Sequence, residues 1–478
     1  DIAMNHQDLP NSYLMMEYDF VANKPKADGK YFNVTPKHPF NVFFDMNHES
    51  SYTKQYLDTI NYYWLTEYKV DGFRFDLSKG FTQKNSGSDV GAWSAYDGTR
   101  VALLKRMADK IWSHHADAYV ILEHLSDNTE EKELSEYRAS EGKGMMLWGK
   151  MTEEYSQNTM GYAENSGLSR GYHKSRNWNY PHLVSYMESH DEERLMYKNK
   201  QFGRTSANYD VRVLGTGLSR VKAASLLFYL IPGPKMLWQF GELGYDQSIN
   251  LCGDGTVKEE CRVANKPVLW SYQEDPLREA LFDHTADLIR LKKSAPVFNT
   301  GTVNFSDGSS LVKQITFLST PYVESPTSRD EMNAVAVANF DISKKTITVN
   351  FPHAGIWYDY YREGEPIIVN ETTFSIELSA GSYRLFTDVA LEESPVLDSE
   401  PNVLSEHAIL AYPNPTSGRL VVKPFYRVTG LFDLRGVNQR FITTGDGDID
   451  ITSLPAGVFL LRGVGTQGNQ VFQRIIKQ

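Results

Sequence analysis

At 478 residues, with 41% hydrophobic and 23% charged side chains, the chain has a globular composition and the length of about two to four domains. Its formal charge of −11 argues against nucleic acid or an anionic membrane as partner, because an acidic surface repels polyanions, whereas a neutral polymer is not repelled. No apolar run approaches the ~18 residues needed to cross a bilayer, and 28 tyrosines and 24 phenylalanines suffice both for large cores and for sugar-stacking platforms.

The first six residues, DIAMNH, read as the end of a strand entering a loop. Without an initiator Met or a signal peptide, the chain is expected to be an N-terminally cut piece of a longer protein, and the missing leader says nothing of location. Residues 7–48 carry Pro10, Pro25, Pro36 and Pro39 and read as a loop-rich insertion after a third strand. Ser50 and Ser51 are candidate N-caps for an amphipathic helix over 51–68. The strand GFRFDL follows. A helix over 98–118, the strand YVILEHL (119–125) and a helix with Thr129 as N-cap come next, then a strand over 144–149. A strand over 182–195 ends in charges. A helix stopped by Pro232–Gly233–Pro234, a strand over 235–242 and a helix over 275–295 complete the alternation. Repeated strand–helix units imply a parallel sheet with helices outside. From residue 297 the period changes to two, which predicts an antiparallel β-sandwich domain over 297–388, an acidic Pro/Ser linker over 389–407 and a small all-β domain over 408–478.

Three acids sit at strand ends on one side of this expected sheet: Asp76, Glu123 and Asp191. Arg74 and Asp76 share a strand face because side chains alternate with period two, and alone they read as a buried structural ion pair. Three such acids are more than structural pairing requires. In a parallel barrel, the C-terminal strand ends converge on the face that carries the site. His6, Arg74, Lys79 and His190 surround them. Arg74 is expected to keep Asp76 ionised, while the apolar run before Glu123 is expected to push that acid toward protonation. Two carboxyls with separated pKa values are what retaining glycoside hydrolysis uses, as nucleophile and general acid/base about 5–5.5 Å apart. Trp148 and Trp238 read as packing residues. Glu130, Glu131 and Glu133 read as the solvated start of a helix. Cys252 and Cys261 flank a short polar loop, which suggests a local disulfide in an oxidising compartment; a zinc site lacks two further ligands.

These segments resemble the short motifs of the α-amylase family of retaining glycoside hydrolases. DIAMNH is similar to the first, with Asp1, Asn5 and His6 in place; DGFRFDLSK to the second, VILEHL to the third and ESHDEERL to the fourth. PGPKMLWQFGELGYD is similar to the eighth strand and its loop. The resemblance spans about residues 1–388. It implies an α/β fold in which 1–296 form a (β/α)8 TIM barrel, incomplete at its N-terminus, with the β-sandwich following. It makes Asp76 the nucleophile, Glu123 the acid/base, Asp191 the transition-state stabiliser, and His6, Arg74, Lys79 and His190 substrate contacts. Asn5 matches a position that often ligates Ca²⁺. The motifs depart from the family pattern at Gly80, where many members carry His, and at His124–Leu125, where an aromatic is usual. The sequence His190–Asp191–Glu192 also occurs in glucan branching enzymes.

The implied function is a secreted hydrolase of α-1,4-glucosidic bonds in starch-like polysaccharide. A debranching or branching activity is the alternative among enzymes, and a non-catalytic glucan-binding protein is the alternative outside them. With its first strands missing, the barrel is not expected to close, and residues 1–478 alone are expected to be unstable or inactive. Finally, AYPNPTSGRLVV, LFDLRG and LPAGVFLLRG, with the ending RIIKQ, resemble the C-terminal sorting domain of the Bacteroidetes type IX secretion system. That resemblance implies a secretion machinery as partner, an extracellular location for the product, and an oxidising setting for Cys252 and Cys261.

Overall fold

Short β-branched and aromatic segments, each followed by an amphipathic helix, line up as one parallel sheet. The computed structural model describes residues 1–40, 42–362, 364–391, 411–422, 426–433, 437–444, 447–465 and 470–478. They form two compact units, Asp1–Arg212 with Gly217–Glu400, and Val213–Thr216 with Pro401–Gln478.

In the first unit six strands run in chain order: β1 (Ile2–Ala3), β2 (Gly72–Asp76), β3 (Tyr119–Leu122), β4 (Met146–Lys150), β5 (Leu183–Tyr186) and β6 (Lys235–Met236). All five ladders are parallel. Phe75 lies beside Ile2 on one side and Leu122 on the other, which brings the C-terminal ends of β1, β2 and β3 together. The barrel was expected to be incomplete and open, and the sheet has six strands with no ladder joining β1 to β6 among the described residues. The last expected strand is also shorter than its apolar run, since only Lys235 and Met236 pair before the chain turns at Phe240 with φ of +60°.

Helices α1 (Ser51–Thr66), α2 (Gly98–His114), α3 (Asn128–Glu136), α4 (Thr152–Met160), α5 (Leu195–Phe202), α6 (Leu214–Tyr229) and α7 (Pro276–Ser294) connect or flank the strands. Ser50 caps α1 as the sequence suggests, accepting from the Tyr52 N–H at 3.3 Å. The cap of α3 is Asp127 rather than Thr129: its carboxylate accepts from the Thr129 N–H at 2.8 Å. Asp is the stronger cap, and it also complements the helix dipole. Leu104, Val101, Met107 and Ile111 of α2 pack on Phe73, Phe75, Val120, Leu122 and Leu147 to form the main core. The insertion is ordered around its own small core of Leu14, Tyr18, Phe32 and Met46, and a ladder joins His6–Gln7 to Phe44–Asp45.

After α7, the β-rich region comprises β7 (Thr302–Ser306), β8 (Val312–Leu318), β9 (Ala334–Asn339), β10 (Lys345–Asn350), β11 (Gly355–Asp359), β12 (Glu365–Val369), β13 (Thr373–Leu378) and β14 (Tyr383–Thr387). Six of them make an antiparallel sheet in the order β7-β8-β9-β14-β11-β12, and β10 pairs with β13. Val335, Val337, Val349, Trp357, Leu378 and Phe386 fill the space between, as in a sandwich. Most of the expected linker, from residue 392 onward, lies outside the described residues. The second unit contains a four-stranded and a three-stranded antiparallel sheet, with Leu420, Leu431, Ile449, Leu461 and Ile475 in its core.

Candidate active site

Strand β2 places Arg74 and Asp76 on the same face, and parallel pairing with β3 sets Glu123 next to them. Arg74 is the hub. Its Nη1 donates to Asp76 Oδ1 at 2.7 Å and to Asp1 Oδ1 at 2.9 Å. Its Nη2 lies 2.7 Å from Glu123 Oε2 as an ionic contact out of line with the N–H. The guanidinium rests on the face of Trp148, 4.0 Å from the ring centre. Stacking on one side and carboxylates at the edge match what a planar, always-charged group does best. Trp148 therefore packs, as expected, and what it packs against is this cation.

Glu123 is largely buried. Burial pushes its carboxyl up to about 7, against the opposing pull of Arg74 and the Leu77 N–H; the charges of Asp76 and Asp191 add to the rise. The Leu77 N–H donates to Glu123 Oε2 at 2.9 Å from a residue with φ of +46°. An apolar side chain in that left-handed region is strained, and such strain persists where the surroundings impose it. A largely buried carboxyl with a raised pKa thus lies beside more exposed carboxylates on the same guanidinium.

The predicted residues fall into two groups. Asp76, Glu123, Arg74, Asp191, His6 and His190 are associated with one another. His6 is half-buried; burial depresses its imidazole, and the nearby Asp76 opposes that. Asp191 and His190 are more open, their side chains each 40% exposed and 3.5 Å apart. Arg262, which no motif marks, and Trp238 complete this edge. Arg262 Nη2 donates to the Asp191 carbonyl at 2.7 Å and lies 3.3 Å from its Oδ1. Arg262 follows Cys261, which is bonded to Cys252 as expected, with Cα atoms 5.1 Å apart. The disulfide loop thus carries a cation onto Asp191. Trp238 stands 5.6 Å from the His190 ring.

Lys79 belongs to the other group. It was expected at the sugar, but it is buried. Its ammonium donates to Ser94 Oγ at 3.1 Å and to the Leu125 carbonyl at 2.9 Å, and it lies over the Trp93 ring. A buried ammonium must satisfy its donors, and these partners do so locally. The acidic run is likewise not solvated: Glu130 and Glu131 are buried, paired with Arg100 and Arg176.

Asn5 is fully buried, and its Oδ1 has no hydrogen-bond partner among the described residues. The same holds for His38 Nδ1 and Nε2, Asp45 Oδ1 and His48 Nε2. Calcium takes about six to eight oxygen ligands. Here Asn5 Oδ1 and Asp45 Oδ1 are two such oxygens, the latter 3.5 Å from His38 Nε2.

No protein-family model matches the chain, and no curated protein matches it. Solved structures do. An α-amylase from Anoxybacillus is 14% identical, with a TM-score of 0.54 over 81% of this chain and 74% of that one. The α-amylase of Geobacillus thermoleovorans, solved in complex with acarbose, is 14% identical, with a TM-score of 0.53 over 81% and 76%. A pullulanase from Anoxybacillus sp. LM18-11, solved with maltotetraose, is 17% identical, with a TM-score of 0.53 over 81% of this chain and 53% of that one. The likeness is one of fold: the parallel sheet and antiparallel β-region of this chain follow the architecture of the α-amylase fold.

Proposed function

We propose that the protein hydrolyses α-1,4-glucosidic bonds of starch-like polysaccharide with retention of configuration. The observation that carries this reading is the Arg74 hub, which holds Asp76 and Glu123 at its two Nη atoms while burial raises Glu123 to about 7. In this reading Asp76 attacks the anomeric carbon and forms a glycosyl ester. Glu123 gives its proton to the departing sugar oxygen, then takes one from the water that hydrolyses the ester. Asp191 and His190 bind the sugar from the open edge, and Asp191 stabilises the oxocarbenium-like charge. His6 contacts the sugar beside Asp76. Arg74 holds the nucleophile in place through its 2.7 Å ion pair with Asp76 Oδ1. The fold likeness to α-amylases and a pullulanase supports an α-glucan as substrate.

The test is Glu123→Gln in the full-length protein. Release of reducing ends from soluble starch is expected to fall by about 10²–10⁴-fold, the usual contribution of a positioned acid. A variant that keeps most of its activity sinks the assignment. Products from amylose and pullulan then fix the bond: maltotriose from pullulan marks debranching, and new branch points mark transfer. We further propose, on the motifs alone, that residues 408–478 direct type IX export to the cell exterior. If deleting them leaves the product in the culture medium, that proposal fails.

A further inference from the structure

The residue after Glu123 is a histidine, and the buried chain it belongs to leads back to Glu123. His124 Nε2 is 2.6 Å from Glu130 Oε1, and its Nδ1 is 2.9 Å from Ser78 Oγ. Ser78 Oγ also lies 2.9 Å from the Glu123 carbonyl, which the Ser78 backbone N–H meets at 2.9 Å. At the far end Arg100 grips Glu130 with Nε at 2.6 Å and Nη2 at 2.8 Å, and the Asp97 N–H adds a third bond at 2.8 Å. All four side chains, Ser78, His124, Glu130 and Arg100, are at most 1% exposed.

Proton accounting gives the chain a direction. Burial alone would raise Glu130, but the bonds from His124 and Arg100 outweigh it and hold the carboxyl at about 2. A carboxylate only accepts, so His124 presents N–H at Nε2. Its Nδ1 then accepts the one Ser78 hydroxyl proton, which orients Ser78. The link from Ser78 to Glu123 is the Ser78 backbone N–H, which donates to the Glu123 carbonyl at 2.9 Å. The same brace ties the two strand-end turns together. Arg100 Nη1 donates to the Lys79 carbonyl at 3.0 Å, and Lys79 Nζ donates to the Leu125 carbonyl at 2.9 Å. Leu77 and Leu125, next to Ser78 and His124, hold φ of +46° and +51°. Two apolar residues in left-handed geometry, one beside each partner of the Ser78–His124 hydrogen bond, need an external hold, and Leu77 in that geometry aims its N–H at Glu123 Oε2.

We propose that His124 is a positioning residue for Glu123, acting through Ser78 and anchored by Glu130 and Arg100, so that the Glu123 carboxyl is fixed between Arg74 and the Leu77 N–H. The proposal rests on the reading of Glu123 as the proton donor. It makes His124, Ser78 and Glu130 determinants of proton delivery rather than of sugar binding.

The test compares two substrates. Departure of a sugar alcohol needs a proton, whereas departure of fluoride from α-maltosyl fluoride needs little help. For His124→Asn in the full-length protein, kcat/KM on maltopentaose is expected to fall by about 10- to 100-fold, a fraction of a general acid's usual contribution. On α-maltosyl fluoride it is expected to fall at least tenfold less. Ser78→Ala, a smaller change, should give the same ratio and decides the matter if the His124 variant does not fold. Parallel losses on both substrates, or none on either, overturn the proposal. Glu123→Gln run alongside separates the two claims: if it too turns over maltopentaose normally, the reading of Glu123 is at fault, whereas if it is inactive and the His124 ratio is unity, only the positioning claim fails.

Discussion

Glu123 is held by forces that oppose one another, and its titration reaches into both activity and stability. Its folded-state pKa of about 7 stands above its ordinary 4.5, chiefly through burial. The native state therefore keeps a proton that the unfolded chain has lost between those values, so stability falls as pH rises from about 4.5 to about 7 and the loss is complete above that range. Glu123→Gln removes the titration. It is expected to raise the melting temperature at pH 8 relative to wild type, by the equivalent of on the order of 2–3 kcal/mol, with little change at pH 4.5. Equal shifts at both pH values would contradict the assignment of burial as the cause. In the wild type, kcat/KM is expected to decline above about pH 7 as the proton donor ionises.

Much of this residue-level arrangement was legible in the sequence. The period of a strand put Arg74 and Asp76 on one face, and the apolar run before Glu123 implied its raised pKa. Glu130 and Glu131 read as solvated because their partners lie far along the chain: Arg100 is 30 residues from Glu130 and Arg176 is 45 from Glu131. The partner that holds Lys79, the Leu125 carbonyl, is likewise 46 residues away. Arg262 was missed similarly, 71 residues from Asp191. The cysteine pair beside it marked the loop but not the cation that the loop carries.

Elements place these residues, and Gly80 shows how tightly. The resemblance marks it as a departure, and the packing explains it. A Cβ there would meet Asn5 Oδ1 at 1.9 Å and His38 Nε2 at 2.8 Å. The insertion thus seats its own imidazole, stacked on Trp93 with ring centres 5.0 Å apart, against a turn that has no side chain to oppose it. Gly80→Ala is expected to cost about 1–3 kcal/mol in urea unfolding through overpacking. A neutral result would mean that Asn5 and His38 move aside freely. The strand–helix alternation was readable because each strand is a short apolar run closed by a charge. The early end of β6 was not, because Trp238 and Phe240 continue the apolar pattern past the turn.

At the scale of the whole molecule, the change of hydrophobic period near residue 297 correctly announced a β-rich region. A second core, with Leu420, Leu431, Leu461 and Ile475 at 0–1% exposure, belongs to the C-terminal unit alone. Residues 405–478 expressed separately are expected to unfold cooperatively, and Leu461→Ala should cost about 2–5 kcal/mol. A gradual, non-cooperative melt would refute a self-sufficient core.

The central claim is that Asp76 and Glu123, held on one guanidinium with Glu123 raised by burial, carry out retaining hydrolysis. It is tested most directly by treating the full-length protein with a 5-fluoro-α-glucosyl fluoride, which slows breakdown of a glycosyl ester, and mapping the labelled peptide by mass spectrometry. The account predicts one sugar covalently attached at Asp76. A label on any other carboxylate, or turnover with no covalent label and inversion at the anomeric carbon, would contradict it.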